Sequence, residues 1–311
     1  MNGLFSELFI SSLVSGGVIA GIPLIYAGLG EAISERAGVL NVGLEGMMLG
    51  GAYGGFVGAL HFQSTWIGLM CGGLTGAVIS LLMVVLCVRL NSNQIVVGIA
   101  ITLGAEGVTA LLHGAIYGDS YPRVPVAHPY AIPLLSNIPI IGPGFFNHHV
   151  SVYLAVVVVF FVSWVLNSTG IGLSIKAAGD QPHALEAAGG GVHRTRTIAV
   201  LSTGLLAGLG GAFIVLVGAG LFVPFVTNGK GFIAIVLAML VRGRVKWIIV
   251  ASVLFGMSLS LTTALQLAGV DVSIDLVLML PFVLIIVVLF AFGRRSYLPA
   301  ALALPYDREQ R

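Results

Sequence analysis

Charged residues are scarce in this chain. Only 8% of its 311 residues are Asp, Glu, Lys or Arg, whereas a soluble globular domain carries about 25%. Hydrophobic residues make up 58%, and long apolar runs recur along almost the whole length. This balance excludes a soluble globular protein and predicts an all-α polytopic membrane protein. The short alternating segments of a transmembrane β-barrel are missing as well.

Cysteines, phosphate-binding loops and catalytic patterns are also few or absent. Cys71 and Cys87 both lie inside apolar runs, which favours packing over a disulfide or a metal site. No G-x-x-x-x-G-K-[ST] loop occurs, so we expect no ATP hydrolysis by this chain. His148 and His149 have no cysteine or acidic cluster beside them, and neither a Ser-His-Asp nor an HExxH pattern is present. We therefore expect neither an enzyme nor a metal site, and no cofactor bound by this chain.

Glycine, in contrast, is abundant, with 43 residues. In a soluble helix each glycine costs about 1 kcal/mol relative to alanine, but in a membrane it lets helices approach closely. The apolar segments predict one transmembrane domain over residues 1–311. Its nine predicted spans are 7–29, 39–60, 65–88, 94–116, 150–168, 197–220, 230–242, 247–268 and 273–292.

The seventh span is unusual. Its core "GFIAIVLAMLV" reaches only about 16 Å as a helix, against a hydrocarbon core of about 30 Å. We therefore expect a short helix that is buried or partly re-entrant and shielded from lipid by its neighbours.

Lys and Arg concentrate in the 172–197 loop, around residues 242–246 and in the 294–311 tail. The positive-inside rule makes these segments cytoplasmic. The Pro- and His-rich loop 117–149 then lies outside, as does "TNGKGF", residues 227–232. These assignments predict an outer N-terminus and an inner C-terminus. If 39–60 does not cross fully, the count falls to eight and the N-terminus moves inside.

The 172–197 loop is the most polar stretch between spans. Asp180 is a typical helix cap and Pro182 a typical first-turn residue. The segment "HALEAA" then predicts a short helix, and glycines 189–191 predict its end. From the residues alone, an ordinary polar loop remains the alternative.

This loop carries a resemblance to a known family. The stretch "AAGDQPHALEAAGGGVHRTR" resembles the coupling loop of permease subunits of ATP-binding cassette importers, in the branched-chain amino acid and simple-sugar permease family. Gly190 departs from that pattern, because an apolar residue such as Ile is usual there, and we expect it to loosen the helix end. Three further stretches resemble the nucleoside branch: "ISERAGVLNVGLEGMMLGGAYGG" (33–55), "NSNQIVVGIAITLGAEGV" (91–108) and "GKGFIAIVLAMLVRGR" (229–244). The matching loop residues are Gly179, Asp180, Pro182, Ala187, Ala188 and Gly189.

The resemblance implies a type II importer permease bundle in a bacterial or archaeal plasma membrane. It implies that the loop helix docks into a cytoplasmic ATPase, which uses ATP and Mg²⁺, with Arg194 as a further contact. The implied partners are a second, related permease chain that shares the translocation path and an extracytoplasmic binding protein that delivers a small molecule. A nucleic-acid polymer is not expected as a partner. The implied substrate is a nucleoside, with a simple sugar as the alternative.

Asn41 and Glu45 stand at the start of the second predicted span. Four residues apart, they are predicted to share one helix face. A carboxylate facing lipid would cost roughly 2.5 kcal/mol or more, so Glu45 is expected to face inward. It ties the helix mouth to a neighbouring helix or to Arg36, lines the translocation path, or contacts the ATPase. We expect Ser34, Glu35 and Arg36 to form a solvated turn.

The fourth predicted span adds three polar candidates. Asn93 and Gln94 lie at its start, where Asn91 or Ser92 is the expected cap. Glu106 lies about 18 Å further along, where interior placement is expected for either a helix-bridging or a substrate-binding role. A different class of function stays open at this stage. In an ion-gradient-driven transporter, Glu45 and Glu106 would carry the coupling ion.

Overall fold

In the computed structural model the chain forms a helical bundle. The structure describes residues 7–125, 127–139, 141–267 and 298–306, together with 279, 280, 282, 283, 286, 287 and 290. Apart from a short 3-10 turn at Leu135–Asn137, the elements are α1 Glu7–Arg36, α2 Leu44–Phe62, α3 Thr65–Met83 with a π-helical end Val84–Arg89, α4 Gln94–Tyr117, β1 Tyr130–Ala131, α5 Ile141–Phe145, β2 Asn147–His148, α6 Val150–Ser168, α7 Gly170–Asp180, α8 Pro182–Ala187, α9 Val192–Phe213 with a π-helical end Ile214–Ala219, α10 Lys230–Leu240 and α11 Val245–Leu267.

Six helices are long and apolar enough to cross a membrane, counted over the described residues. The predicted count of nine is therefore not confirmed. Most of the ninth predicted span, 273–292, and most of the tail lie outside the described residues. The six are Phe9–Arg36, Thr65–Arg89, Gln94–Tyr117, Val150–Ser168, Val192–Ala219 and Val245–Leu265.

The helix α2 forms the centre of the bundle. Most of its residues are buried, including Glu45 and the large side chains of Met47, Met48 and Phe56. It packs against α3 and α9 through glycines. A Cβ on Gly51 would overlap Gly208, and one on Gly211 would overlap the carbonyl of Met48. Because no side chain separates these backbones, the three helices form a close-packed core.

The short helix α10 begins against α2, and the placement of "TNGKGF" outside stays a prediction. Its 11 residues span about 16 Å. Its far end turns at Gly243, whose carbonyl accepts a hydrogen bond from Arg36 Nη2. Its first turn lies against Glu45, and Thr227 is buried.

The first helix extends seven residues beyond the predicted span and carries Ser34, Glu35 and Arg36 with it. Ser34 and Glu35 are buried, so the expectation of a solvated turn was wrong. The chain then doubles back along α1, because the Ser34 hydroxyl donates to the carbonyl of Val39 at 2.9 Å. The next helix consequently starts only at Leu44.

The basic segments within the described residues gather at one end of the bundle. Arg196 of α9 is buried there and donates to three carbonyls, those of Ala37 at 3.2 Å, Leu304 at 3.0 Å and Ala178 at 3.5 Å. This one side chain therefore joins the end of α1, the end of α7 and the 298–306 segment. We call this end of the bundle the basic end.

The opposite end is closed by the 117–149 connection. Here β1 pairs with β2, with Tyr130 opposite His148. Val124 N–H donates to the carbonyl of Gly220 at 3.0 Å, which ties this connection to the end of α9. We call this the outer end.

Candidate functional site

The polar helix pair at the basic end is the most exposed of the predicted sites. Asp180 ends α7 and does not cap α8 as predicted. Gln181 occupies the cap position without a side-chain hydrogen bond, and Pro182 begins α8. The glycine end of the helix is as predicted, because Gly189 has φ +84°. Gly190 N–H donates to the carbonyl of Leu185 at 2.9 Å, so Gly190 does not loosen the helix end as expected.

The two helices enclose a groove of about 800 Å³. Leu185 lies at its base and packs with Ala178, Val192 and Tyr306, which fixes α8 to the body of the protein. Ala187, Ala188 and Gly189 remain exposed. The groove is lined by Leu173, Ser174, Lys176, Ala177, Asp180, Gln181, Ala184, Leu185, Ala188, Gly189 and Gly190.

The remaining residues of the predicted coupling loop fall into two groups. Asp180 and Arg194 are exposed, so both are available to a partner protein. Gly179 is buried, and a Cβ there would overlap the carbonyl of Arg36. Its role is therefore to bring α7 close to the end of α1.

Partial burial and the nearby charge of Arg36 lower the pKa of Lys176, which donates to Asn167 Oδ1 at 3.2 Å.

Glu45 meets the first turn of α10. One carboxylate oxygen accepts from the Thr227 hydroxyl at 2.5 Å and from Gly229 N–H at 2.8 Å. The other accepts from Gly231 N–H at 2.5 Å. A carboxylate at a helix N-terminus satisfies free N–H groups and opposes the positive end of the helix dipole. Glu45 thus ties α2 to the short helix α10, and its predicted tie to Arg36 is absent among the described contacts.

Three other predicted path residues also make structural contacts. Asn41 precedes α2, so the prediction that it shares a helix face with Glu45 was wrong. Its backbone N–H donates to Glu31 Oε1 at 3.3 Å, and its side chain contacts Met47 Sδ at 3.4 Å. Asn93 caps α4, because its Oδ1 accepts from the N–H groups of residues 95 and 96 at 3.0 and 3.1 Å. Gln94 Oε1 accepts from Leu40 N–H at 2.8 Å.

Glu106 differs from these residues. It is half-buried on α4, and no hydrogen bond or ion pair of its carboxylate is found within the part of the chain that the structure describes. Successive residues of an α-helix are about 100° apart around its axis, so polar residues near Glu106 in α4 fall within one arc of about 80°. This α4 stripe consists of Thr102, Glu106, Thr109, His113 and Tyr117.

Two buried groups were missed in the sequence. Glu31 and Glu35 are buried one turn apart on α1, and each has one oxygen without a hydrogen-bond partner among the described residues. His113 is 2% exposed, and neither ring nitrogen has a partner there. The four-residue spacing of the two glutamates was visible, as was the position of His113 seven residues after Glu106. However, the long apolar segments around these residues give no local signal that their polar atoms are buried without partners.

The histidine pair of the outer end has structural contacts. His148 Nε2 lies 2.8 Å from the carbonyl oxygen of Gly144. His149 Nδ1 lies 2.7 Å from Ser151 Oγ and accepts from Ser151 N–H, which caps α6. Burial lowers the pKa of both rings, and the hydrogen bond with Gly144 partly offsets this for His148. No group of three metal-ligating side chains occurs within the described ranges.

A bundle with six long apolar helices among the described residues is the pattern of a multi-pass membrane protein. The family described as "Branched-chain amino acid transport system / permease component" matches residues 13–289. The chain belongs to this family of ATP-binding cassette transporter permeases. The alternative of an ion-gradient-driven transporter is therefore set aside.

Individual relatives extend over most of the chain. A guanosine ABC transporter permease of Bacillus subtilis is 33% identical, covering 97% of this chain and 98% of its own. A nucleoside ABC transporter permease of Lactococcus lactis is 33% identical, covering 96% and 97%. A putative glucose ABC transporter permease of Haloferax volcanii is 36% identical, covering 86% and 80%. No solved structure matches.

Proposed function

We propose that this chain is one of two permease subunits in an ATP-driven importer of nucleosides. The observation that carries the substrate class is the near end-to-end similarity to a guanosine permease and a nucleoside permease, each covered to 97% or more of its length. The importer belongs in the plasma membrane of a bacterium or archaeon. The substrate is a small molecule delivered to the outer end by an extracytoplasmic binding protein.

The α7–α8 groove is the proposed docking site for the ATPase. Ala187, Ala188 and Gly189 offer a flat, exposed surface, while Leu185 and Tyr306 fix the same short helix to the body. Arg196 of α9 donates to carbonyls at the end of α1 and in α7, so a load applied to the α7–α8 pair is passed to α1 and α9. ATP and Mg²⁺ act on the ATPase, and this chain supplies the surface on which its movement acts.

The translocation path is proposed to run beside α4. The α4 stripe extends about 22 Å along this helix and offers hydroxyl, carboxylate and imidazole groups to an uncharged, polar substrate. Glu106 is the path candidate that remains, because Asn41, Glu45, Asn93 and Gln94 have structural contacts. The adjacent α4 face is exposed and carries Gly104, Gly107 and Gly114, none with an atom near its Cβ position. We assign this face to the second permease.

The test is uptake by the complete transporter in proteoliposomes. With ATP inside and the substrate-loaded binding protein outside, radiolabelled guanosine should accumulate without an ion gradient. Ala188→Arg should abolish most uptake, because the charge lies on the docking surface, while the protein still folds since Ala188 is exposed. Gly170→Arg is the matched control. Gly170 begins α7 at the same end of the molecule, is exposed and has open space around it.

Unchanged ATP-driven uptake by the Ala188→Arg transporter would refute docking at α8. Uptake that requires an ion gradient instead of ATP would contradict the importer assignment as a whole.

A simple sugar is the second candidate substrate, favoured by the 36% identity to the putative glucose permease. The same proteoliposomes distinguish the two. Uptake of glucose without uptake of guanosine or uridine would replace the nucleoside by the sugar and leave the transport class unchanged.

A further inference from the structure

An aromatic cluster lies where the outer halves of α2 and α4 meet the chain that follows α9. Its members are Tyr53, Phe56, His113, Tyr117, Tyr121 and Phe222. The rings of Tyr117, Tyr121 and Phe222 lie 5.3, 5.3 and 5.5 Å from the His113 ring, centroid to centroid. Phe56 lies 6.1 Å from it, and Tyr53 reaches the cluster through Phe222 at 5.1 Å.

The cluster contains polar atoms that the described residues do not satisfy. His113 is 2% exposed, and both Nδ1 and Nε2 lack a hydrogen-bond partner. Tyr53 is 8% exposed, and its hydroxyl also lacks one. Buried polar side-chain atoms are nearly always hydrogen-bonded in folded proteins, and each exception requires an explanation. Here three unsatisfied atoms belong to one cluster, and a neutral imidazole offers one donor and one acceptor.

The rings become less exposed from the outer rim toward the centre. Tyr121 is 49% exposed and lies over His113 with an angle of 29° between the two ring planes. Phe56 and Phe222 are fully buried beneath. Gly118, with φ +58°, ends α4 and turns the chain so that Tyr121 lies back over His113. Tyr121 thus occupies a position in which any flat ring would stack on the imidazole.

We propose that His113, Tyr53 and the surrounding rings form the site at which this permease recognises the base of a nucleoside. The inference rests on the proposed function and adds the group that selects the substrate. A base offers a flat π-face, which stacks on aromatic rings, and edge donors and acceptors that match the imidazole and the tyrosine hydroxyl. The ribose has no such face. His113 also belongs to the α4 stripe, two turns beyond Glu106, so the site lies at the outer end of the proposed path.

The experiment uses the complete transporter in proteoliposomes, with saturating loaded binding protein and either radiolabelled guanosine or radiolabelled uridine. His113→Phe keeps a ring of similar size and removes both nitrogens. We expect guanosine uptake to fall about tenfold, the effect of losing one or two hydrogen bonds. The guanosine-to-uridine uptake ratio should move toward one. A purely structural role for His113 would lower both uptakes equally and leave the ratio intact.

His61→Phe is the matched control, because His61 is exposed near the same end of α2 and contacts one ring, Phe62. It should leave both uptakes unchanged. Tyr53→Phe removes a single oxygen and keeps the ring, so it decides the question if His113→Phe does not assemble with the ATPase. A normal guanosine-to-uridine ratio in an assembled variant of either residue would overturn the site. Failure of the wild-type transporter to take up any nucleoside would refute the proposed function instead.

Discussion

The glycines of the α2–α3–α9 core and those in the middle and outer part of α4 meet different surroundings. In the core, a Cβ on Gly51 would overlap Gly208, and one on Gly76 would overlap the carbonyl of Gly204. On α4, Gly104 and Gly107 have nothing within 4 Å of their Cβ positions. The same residue type therefore marks a contact made within the chain in one region and an open surface in the other.

This difference shows what glycine abundance means in a membrane protein. Lipid tails are as apolar as the helices, so close backbone contact supplies much of the association energy, and small residues mark where that contact occurs. The core uses its glycines within the chain. The exposed α4 glycines are suited to the same kind of contact with another chain, as the proposed function requires.

The largest expected effect is in the core. Gly211→Val should destabilise the protein by about 3 kcal/mol or more, because its side chain would overlap the Met48 carbonyl and force α9 away from α2. The measurement is the apparent melting temperature of the purified chain in detergent.

Gly107→Val is the control on α4. It should leave the melting temperature of the isolated chain unchanged but reduce co-purification of the second permease, since the new side chain fills the exposed face. If Gly107→Val destabilised the isolated chain as strongly as Gly211→Val, the distinction between the two regions would be wrong.

The next effect contrasts two glutamates. Glu45→Gln should cost about 2 kcal/mol, because the amide cannot accept all the hydrogen bonds that the carboxylate receives from Thr227, Gly229 and Gly231. Glu106→Gln should leave stability unchanged and lower uptake instead. Melting temperature and guanosine uptake, measured on both variants, check this pair. Equal melting temperatures for Glu45→Gln and the wild type would remove the structural role assigned to Glu45.

The smallest effect is at the start of α4. Asn93→Ala should cost about 1 kcal/mol, since two N–H groups lose the side-chain oxygen that caps the helix. Ser92→Ala, one residue earlier, makes no comparable contact and should have no measurable effect. Chemical denaturation of the two variants in detergent compares them, and equal losses would show that Asn93 is not the cap.

The sequence predicted the features that depend on local chemistry. The short α10, the proline-started α8 and its glycine end all follow from residues close together in the chain. Tertiary contacts are a different matter. Asn41 looked like part of a helix because its apolar surroundings hide the irregular chain that returns along α1. Asp180 looked like a cap, although α7 continues through it. Neither outcome can be read from local propensity.

The least predictable contact is that of Glu45 with Gly231, 186 residues away. A carboxylate in an apolar segment predicts an inward-facing group but not its partner, because that partner is a backbone N–H group that any residue but proline could supply. Likewise, the six rings of the His113 cluster come from three separate parts of the chain. Only the folded chain shows that they meet.

The anchoring of α10 by Glu45 has a consequence for how the protein is made. An 11-residue apolar helix is too short to be inserted into the bilayer as an independent span. The N–H groups of Gly229 and Gly231 at its start find their acceptor, Glu45, on a helix that is synthesised 184 to 186 residues earlier. The N-terminal half must therefore already be embedded when α10 leaves the ribosome, so this chain is expected to assemble in a fixed order during biosynthesis.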